Sequence, residues 1–328
     1  MRILVTGGAG FVGSHLTDAL LAAGHHVVVL DDLSTGLREN LEQHRSEPRL
    51  ELIVDTVLNQ SLLAGLVPNV EAIFHLASTV GVRLATERPL ETIENNSTGT
   101  SRMLKAAADE SKPLLFASSS EVYGKVVEAP FSEDDDIRVG NTRTGRWAYG
   151  CSKALSEFLA LAYYRERGLP VVITRLFNIV GSRQRPDYGM VVPRMTRQAL
   201  RDEPITVYGD GSQTRCFCAV GEVVEALISL LADETAAGEV FNLGNDQEIS
   251  MLELAERIRS LSGSRSEITT VPFELALNDQ FEESPRRVPD LSKIRKWIGF
   301  EPRVSLDEML TRFLDDERRR IAAGFVQV

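Results

Sequence analysis

Tyr149 and Lys153 stand four positions apart, a spacing that places both side chains on one face of a helix. A nearby ammonium favours the phenolate and lowers a tyrosine pKa from about 10 toward the working pH. We therefore expect Tyr149 to act as a general base on a substrate hydroxyl. Ser119, Ser120 and Glu121 directly follow a predicted strand and are expected in the same cleft. A run of serines is also typical of a helix cap or a loop.

A glycine turn near the start of the chain is the second stretch with chemical meaning. Gly7, Gly10 and Gly13 follow one another at three-residue intervals after an apolar run. Such glycines let a pyrophosphate approach the backbone and let the following helix lie close to its strand. Phe11 and Val12 begin that helix, whose amides and positive dipole end favour a bound anion. An ordinary strand–turn–helix corner is the alternative interpretation.

Acidic residues follow at the positions where a dinucleotide needs them. Asp31 and Asp32 end the second predicted strand, and Asp31 would accept hydrogen bonds from the hydroxyls of an adenine ribose. A 2′-phosphate would meet negative charge there, so the expected cofactor is NAD rather than NADP. Asp55 follows the third strand, where it would either reach the adenine or cap the next helix. Leu76 and Ala77 close the fourth strand at the ligand-binding edge.

The elements that position these residues alternate between short β-branched runs and helical stretches. This pattern predicts an α/β protein with a Rossmann-type doubly wound parallel sheet. Strands are predicted near residues 2–6, 26–31, 50–54, 71–75, 113–117 and 170–175. Two long helices are predicted, one after the polar stretch 95–100 and one over residues 149–167. Their apolar faces belong either to the core or to a two-fold dimer.

The composition of the 328-residue chain argues against several classes of protein. A formal net charge of −11 disfavours a nucleic-acid partner, because phosphate backbones attract basic surfaces. No apolar run approaches the roughly 20 residues of a membrane span and no signal peptide is predicted, so the expected location is the cytoplasm. The three cysteines lack disulfide or metal spacing, and no metal site is expected. His75 is interpreted as a core residue.

Together, these motifs resemble the extended short-chain dehydrogenase/reductase family, specifically its NAD-dependent nucleotide-sugar epimerases and dehydratases. The resemblance covers essentially the whole chain. It implies that Tyr149 is the base, that Lys153 holds the nicotinamide ribose and tunes the tyrosine, and that Ser119 binds the reacting sugar hydroxyl. It also implies an NAD-binding domain over residues 1–176 and a smaller α/β lobe over residues 177–328 that binds the sugar nucleotide, with possible crossing of the chain between them.

Several polar residues match family positions around the substrate. Asn96 resembles a residue that orders the site, and Asn178 one that contacts the substrate diphosphate. Arg215 matches an arginine that binds this diphosphate, and Arg287 is a weaker match for the same task. A planar guanidinium suits bidentate contacts with phosphate. Surface ion pairing is the alternative for both arginines.

The family shares a first step, in which the tyrosine deprotonates the sugar 4-hydroxyl while carbon 4 gives a hydride to NAD⁺. Dehydratases carry an Asp–Glu pair where this chain has Ser120 and Glu121, so dehydration is not expected. Ser120, Glu121 and the stretch 146–149 are similar to uronate decarboxylases, whereas residues 181–187 are similar to UDP-glucuronate 4-epimerases. Arg185 would hold the sugar carboxylate, with an exposed loop position as the alternative.

The sequence thus predicts NAD-dependent C4 epimerisation of a UDP-hexuronate, from UDP-glucuronate to UDP-galacturonate, through a transient 4-keto sugar. Decarboxylation of UDP-glucuronate is the first alternative, and epimerisation of UDP-glucose or UDP-N-acetylglucosamine is the second. A non-enzymatic NAD-binding protein is the alternative from another class, and the intact set of Ser119, Tyr149 and Lys153 argues against it. The expected partners are a UDP-sugar and a second copy of the chain, in a homodimer formed through the two long helices.

Overall fold

The computed structural model describes residues 1–80, 87–126, 128–186, 190–276 and 284–322. In chain order the strands are β1 (Arg2–Thr6), β2 (His26–Leu30), β3 (Leu50–Ile53), β4 (Ala72–His75), β5 (Leu114–Ser119), β6 (Val171–Leu176), β7 (Ile179–Val180), β8 (Ile205–Tyr208), β9 (Thr214–Cys216), β10 (Cys218–Ala219), β11 (Val240–Leu243), β12 (Glu248–Ser250), β13 (Ile268–Val271) and β14 (Arg286–Arg287). The α-helices are Phe11–Ala22, Gln60–Leu66, Pro89–Asp109, Ala148–Arg167, Val191–Leu200, Val220–Ala232, Met251–Ser262, Phe273–Ala276, Ser292–Ile298 and Leu306–Ala322.

A seven-stranded sheet forms the centre of the molecule, with the strand order β11-β6-β5-β4-β1-β2-β3. Every pairing in this sheet is parallel. From β1 the chain proceeds in one direction through β2 and β3, and then in the other through β4, β5 and β6. This doubly wound order confirms the predicted Rossmann-type fold. The order reverses between β1 and β4, where a crevice forms at the carboxyl ends of the strands.

Helices cover both faces of the main sheet. Alternate residues of a strand point to opposite faces, and β1 illustrates the result. Ile3 and Val5 pack in one apolar cluster with residues of the helix Phe11–Ala22. Leu4 packs in a second cluster with residues of the helix Pro89–Asp109. Because both faces are covered, the central strands are apolar along their length rather than alternating with polar residues.

The second half of the chain forms a smaller α/β lobe and also returns to the main sheet. The lobe contains the pairings of β8 with β13 and of β9 with β12 and β14. Its apolar core includes Met195, Phe217, Leu254 and Phe313. By contrast, β11 pairs with β6 and extends the main sheet. A division at residue 176 therefore does not separate the sheet from the lobe, since the chain crosses between them.

Candidate active site

A cavity of about 490 Å³ lies at the carboxyl ends of the main-sheet strands and is also lined by the smaller lobe. The residues assigned to the cofactor from the sequence all line it: Gly7, Gly10, Phe11, Val12, Gly13, Asp31, Asp32, Asp55, Leu76, Ala77 and Lys153. The residues assigned to catalysis and substrate also line it: Ser119, Ser120, Glu121, Tyr149, Lys153, Asn178, Arg185, Arg215 and Arg287. The fold thus gathers both predicted sets in one cleft.

The glycine turn is packed too closely to accept side chains at two of its glycines. Gly7 has a φ of +72°, a left-handed conformation that favours glycine. A Cβ atom at Gly7 would lie 2.8 Å from the backbone nitrogen of Ala77. One at Gly13 would lie 2.1 Å from the carbonyl oxygen of Gly7. The helix Phe11–Ala22 therefore begins directly against the end of β1, which is the geometry that a pyrophosphate cradle requires.

Asp31 joins the end of β2 to the glycine turn. Its Oδ2 accepts a hydrogen bond from the backbone nitrogen of Ala9 at 2.9 Å, and its Oδ1 accepts one from Leu33 at 2.9 Å. A Cβ atom at Gly36 would lie 2.8 Å from Oδ1, so the backbone also encloses that oxygen. Burial raises the pKa of Asp31, and the backbone hydrogen bonds oppose this effect. A carboxylate has further lone pairs that remain suited to the ribose hydroxyls.

Asp55 faces the cavity while it supports the start of the next helix. Its Oδ1 accepts a hydrogen bond from the backbone nitrogen of Thr56 at 2.7 Å, and its Oδ2 accepts one from the side chain of Asn59 at 2.9 Å. Asn59 is itself the residue that caps the helix Gln60–Leu66. The structure therefore shows the capping role indirectly, through Asn59, and leaves the adenine contact of Asp55 as a prediction.

His75 is buried beneath the site, which agrees with its interpretation as a core residue. Its ring nitrogens lie 2.8 Å from the hydroxyl of Thr6 and 3.2 Å from that of Thr100. Burial, together with the nearby Lys153, lowers the pKa of His75 to about 3, so the ring is neutral at physiological pH. Across the described ranges, no group of three His, Cys, Asp or Glu side chains could hold a metal ion, and no helix is long and apolar enough to cross a membrane.

The helix Ala148–Arg167 presents Tyr149 and Lys153 to the cavity from one face, as their spacing predicts. The Nζ atom of Lys153 donates a hydrogen bond to the carbonyl oxygen of Ala117 at 2.8 Å. Burial lowers the pKa of Lys153 to about 7. At Gly150, a Cβ atom would lie 2.3 Å from the carbonyl oxygen of Glu121, so only glycine allows the helix to start this close to the loop 118–121 that we call the serine loop.

The pKa of Tyr149 moves in the opposite direction from the expected one. Its hydroxyl is hydrogen-bonded to the side chains of Ser119 and Ser78. Burial, and after it the negative charge of Glu121, raises the pKa of Tyr149 above its usual value of 10. The groups that oppose this increase are the hydrogen-bonded Ser119 and Ser78, and not Lys153. The expectation that Lys153 lowers the tyrosine pKa is therefore not met by the protein groups themselves.

The serine loop combines the two interpretations that the sequence left open. Ser119 ends β5, and its side chain accepts a hydrogen bond from the backbone nitrogen of Glu121 at 3.3 Å, which caps the 3-10 helix Ser120–Tyr123. Ser119 and Ser120 also line the cavity. Ser118 instead donates a hydrogen bond to the buried carboxylate of Glu157. The run of serines is thus a cap and a part of the site at once.

Glu121 is held between two buried arginines. Its Oε2 lies 2.6 Å from Nη1 of Arg146, and its carboxylate also forms an ion pair with Arg287. Burial alone would raise the pKa of Glu121, but the two guanidinium groups hold it well below the usual range. Glu121 is therefore a fixed anion rather than a proton donor. Arg146 is not assignable to the site from the sequence, because it lies 25 positions after Glu121 and no local spacing links the two.

The structure places Arg287 next to Glu121 as well as next to Arg215. The two arginines lie opposite each other in the parallel pairing of β14 with β9. Asn178 has a φ of +32°, and its side chain donates a hydrogen bond to the carbonyl oxygen of Cys216 at 3.0 Å. Its side-chain amide therefore supports the neighbouring strand. Diphosphate binding by Asn178, Arg215 and Arg287 stays a prediction, and the Glu121 ion pair gives Arg287 an additional task.

The chain belongs to the GDP-mannose 4,6 dehydratase family, whose sequence model matches residues 4–313. Solved structures of the same fold include nucleotide-sugar epimerases and dehydratases crystallised with NAD. The resemblance to the extended short-chain dehydrogenase/reductase family is thereby confirmed, as is NAD as the cofactor of the family.

Two curated relatives act on UDP-hexuronates by name. The chain is 43% identical over 310 residues to UDP-N-acetyl-alpha-D-glucosaminuronate decarboxylase of Bacillus cytotoxicus, covering 94% of this chain and 95% of the relative. It is 40% identical over 321 residues to UDP-glucuronic acid decarboxylase 1 of Arabidopsis thaliana, covering 98% of this chain and 71% of the relative. These relatives support an enzyme of this family and favour the decarboxylase alternative over the epimerase.

The structure is also similar to a solved epimerase. UDP-glucuronic acid 4-epimerase from Bacillus cereus, in complex with UDP-glucuronic acid and NAD, has a TM-score of 0.87 and 30% sequence identity. The similarity covers 97% of this chain and 99% of the epimerase chain. DesIV, a dTDP-glucose 4,6-dehydratase from Streptomyces venezuelae, has a TM-score of 0.90 and 30% identity, covering 100% and 99% of the two chains.

Proposed function

We propose that the protein is an NAD-dependent UDP-hexuronate decarboxylase that oxidises the sugar at carbon 4 and releases its carboxyl group as carbon dioxide. Relatives named as decarboxylases, at 40 and 43% identity, support this proposal. The epimerase from Bacillus cereus is less similar in sequence, at 30% identity. The order of the two outcomes is thus reversed relative to the expectation from the sequence, in which epimerisation came first.

The observation that carries the proposal is the ion pairing of Glu121 with Arg146 and Arg287. A 4-keto uronate is a β-keto acid, so an epimerase must restrain its carboxylate until the hydride returns. Charge-assisted hydrogen bonds from arginines would provide that restraint. Here the two buried guanidinium groups already pair with Glu121, whose fixed negative charge repels a second carboxylate. This arrangement favours departure of the substrate carboxylate as neutral carbon dioxide.

The residues of the chain divide the reaction between them. Tyr149 would remove the proton from the 4-hydroxyl, and Ser119 would orient that hydroxyl. Bound NAD⁺ supplies the hydride acceptor, and the glycine turn and Asp31 would hold it. The bond between carbons 5 and 6 of the keto sugar then breaks, its electron pair forms an enolate, and protonated Tyr149 donates to the oxygen on carbon 4. Carbon 5 would then take a proton from solvent while the enol proton returns to Tyr149, and transfer of the hydride to carbon 4 with the Tyr149 proton to its oxygen would give a UDP-pentose.

The proposal is tested by the mass of the product. NAD-loaded protein is incubated with UDP-glucuronate and, separately, with UDP-N-acetylglucosaminuronate, because relatives named for each sugar support the proposal. We expect a product lighter by one carbon dioxide from at least one of them. The Tyr149→Phe variant, which lacks the base, should give none of this product. A product of unchanged mass and new stereochemistry would overturn the proposal in favour of epimerisation.

Epimerisation at carbon 4 remains the second candidate, supported by the similarity to the Bacillus cereus epimerase and by Arg185. Arg185 lines the cavity, where it would hold the sugar carboxylate in the ring plane. If the protein is an epimerase, Arg185→Ala should increase carbon dioxide release at the expense of the epimer. Unchanged epimerisation without added carbon dioxide would exclude this role of Arg185.

We also propose that the protein forms a homodimer through its two long helices. The helix Ala148–Arg167 exposes Leu155 and Phe158, at 58% and 66% of their surfaces. Leu90 is 68% exposed on the helix Pro89–Asp109, which packs beside it. Large apolar side chains grouped on adjacent helices are costly to leave in water. A second copy of the chain, related by a two-fold axis, would cover the same residues on both protomers.

A further inference from the structure

The face of the helix Ala148–Arg167 that carries Tyr149 and Lys153 continues to a third buried polar residue, Glu157. The three residues are spaced by four positions, so they lie one above another along the helix. Glu157 is 5% exposed, and no step of the proposed reaction uses it. A carboxylate is costly to bury unless it is paired, so its partners indicate what it is for.

The partners of Glu157 come from two neighbouring strands. Its Oε1 accepts a hydrogen bond from the hydroxyl of Ser118 on β5. Its Oε2 accepts one from Nη2 of Arg175 on β6, at 2.8 Å. Ser118 and Arg175 are direct neighbours in the parallel register of the two strands. The carboxylate therefore fixes the catalytic helix to the carboxyl ends of β5 and β6, one residue before Ser119.

Glu157 also supplies the negative charge that faces Lys153. The ammonium of Lys153 is seated on the carbonyl oxygen of Ala117, the residue that precedes Ser118. Two rings on neighbouring strands are close to Lys153. Its Nζ atom lies 4.8 Å from the ring centre of Phe116, and its charge acts on the neutral ring of His75. On its own helix it is flanked by Tyr149 and by Glu157. Glu157 is the charged group that favours the ammonium form of Lys153.

Arg175 completes the surroundings of Glu157 without facing Lys153. Its guanidinium lies 4.8 Å from the ring centre of Tyr123, and its Nη1 donates a hydrogen bond to the carbonyl oxygen of Glu133 at 3.2 Å. Of the two members of the ion pair, the Glu157 carboxylate is the one whose charge acts on the pKa of Lys153.

We propose that Glu157 is a positioning residue whose carboxylate, fixed by Ser118 and Arg175, keeps the ammonium of Lys153 seated on Ala117 beside Tyr149. The inference rests on the role of Tyr149 and Lys153 in the proposed function. It extends that role, because it makes the ammonium form of Lys153 depend on Glu157, a residue outside the cavity lining. Burial lowers the pKa of Lys153 to about 7, and Glu157 opposes that effect. Without Glu157, Lys153 loses its proton at a lower pH.

The charge of Lys153 can be measured directly, because the chain contains only six lysines: Lys105, Lys112, Lys125, Lys153, Lys293 and Lys296. Protein labelled with ¹³C-lysine is titrated by NMR, and the Lys153 signal is assigned by its loss in Lys153→Arg. The wild-type signal should titrate near pH 7. In Glu157→Gln, which keeps an oxygen for Ser118 but removes the charge, the midpoint should fall by about one pH unit or more.

Glu317→Gln is the matched control. Glu317 is 1% exposed and pairs with Arg197 at 2.8 Å in the smaller lobe, so the same substitution breaks the ion pair of another buried carboxylate. We expect this variant to lose stability but to keep the wild-type midpoint of Lys153. An unchanged midpoint in Glu157→Gln, or an equal shift in Glu317→Gln, would overturn the proposal.

A second variant guards against a failure of Glu157→Gln to fold. Glu157→Gln/Arg175→Met removes both charges of the pair and leaves no uncompensated guanidinium. The titration midpoint of Lys153 should still fall in this double variant. In Glu157→Asp, which keeps the charge, the midpoint should stay close to the wild-type value. A wild-type midpoint in the double variant would assign Glu157 a purely structural role. The titration requires neither substrate nor turnover, so it stands or falls separately from the decarboxylase proposal.

Discussion

Tyr149 depends for its reactivity on charges contributed by distant parts of the chain. Burial and Glu121 raise its pKa, which makes the phenolate harder to form at neutral pH. Glu121 in turn keeps its charge because Arg146 and Arg287 surround it. In the proposed function Glu121 repels a second carboxylate, so the same residue would also oppose ionisation of the base.

This coupling predicts the effect of Glu121→Gln on the pH profile. Removing the negative charge takes away one cause of the raised pKa of Tyr149, so the phenolate should form at lower pH. The acid limb of the rate of NADH formation from NAD⁺ and UDP-hexuronate should move down by about one pH unit. The measurement is absorbance of NADH during the first turnover across a pH series.

Glu248→Gln provides the control for that shift. Glu248 pairs with Arg286, the neighbour of Arg287, at 2.9 Å, but it lies outside the cavity lining. Its loss should leave the acid limb where the wild type has it. An acid limb at the wild-type position in Glu121→Gln would contradict the electrostatic account of Tyr149.

The sequence predicts site residues well where their relation is local. Tyr149 and Lys153 are recognisable because four positions on a helix fix their relative placement. The trio of Glu121, Arg146 and Arg287 is not recognisable in this way, since its members come from three elements and meet only after folding. The direction of the Tyr149 pKa shift was missed for the same reason. It depends on burial and on a charge that no spacing reveals.

At the scale of elements, the helix Phe11–Ala22 lies directly against the end of β1. Gly13→Ala should push them apart, because the added Cβ would lie 2.1 Å from the carbonyl oxygen of Gly7. We expect NAD affinity to fall by at least about tenfold, which corresponds to about 1.4 kcal/mol. Isothermal titration with NAD⁺ and a thermal melt together measure the change.

Gly65→Ala is the matched substitution in another helix. A Cβ atom at Gly65 meets nothing within 4 Å, so this variant should keep the wild-type NAD affinity. Alanine also favours the helix by up to about 1 kcal/mol relative to glycine. Equal losses of NAD affinity in the two variants would show that the close approach at Gly13 is not what matters.

The elements themselves were largely predictable, whereas one of their pairings was not. The six strands of the first half fall near their expected positions, because buried parallel strands have apolar, β-branched sequences. The stretch that forms β11 also has the pattern of a strand. Nothing in that pattern states that β11 pairs with β6, where Val240 lies opposite Ile173, a residue 67 positions earlier in the chain. Strand partners depend on the path of the chain.

At the scale of the whole molecule, the two halves are held together by more than the shared sheet. Arg183, which follows β7, forms an ion pair with Asp18 on the helix Phe11–Ala22 at 2.8 Å. His15 of the same helix lies 3.0 Å from the carbonyl oxygen of Ser182. The helix that begins at the glycine turn is thus attached directly to the second half of the chain. Binding of cofactor and of sugar nucleotide should stabilise one unit rather than two.

The proposed homodimer predicts the effect of a charge on the exposed helix face. Phe158→Glu places a carboxylate at a position that a second copy would bury. The dissociation constant of the dimer should therefore rise by at least about a hundredfold, which corresponds to about 2.7 kcal/mol. Leu275→Glu is the control, because Leu275 is 80% exposed on a different helix, Phe273–Ala276. Light scattering coupled to gel filtration measures the mass. A wild type of monomer mass would contradict the proposal.

The bond between Asp31 and the backbone of Ala9 has a consequence for how the cofactor preference of this protein can change. Ala9 is fully buried, so replacing Asp31 with a residue that accepts a 2′-phosphate would leave the Ala9 nitrogen without its acceptor. A single substitution would then disturb the pyrophosphate turn before it gained any affinity for the other dinucleotide. A change of cofactor to NADP would first need another acceptor for the hydrogen bond of the Ala9 nitrogen. The preference for NAD is therefore expected to persist through single substitutions at Asp31.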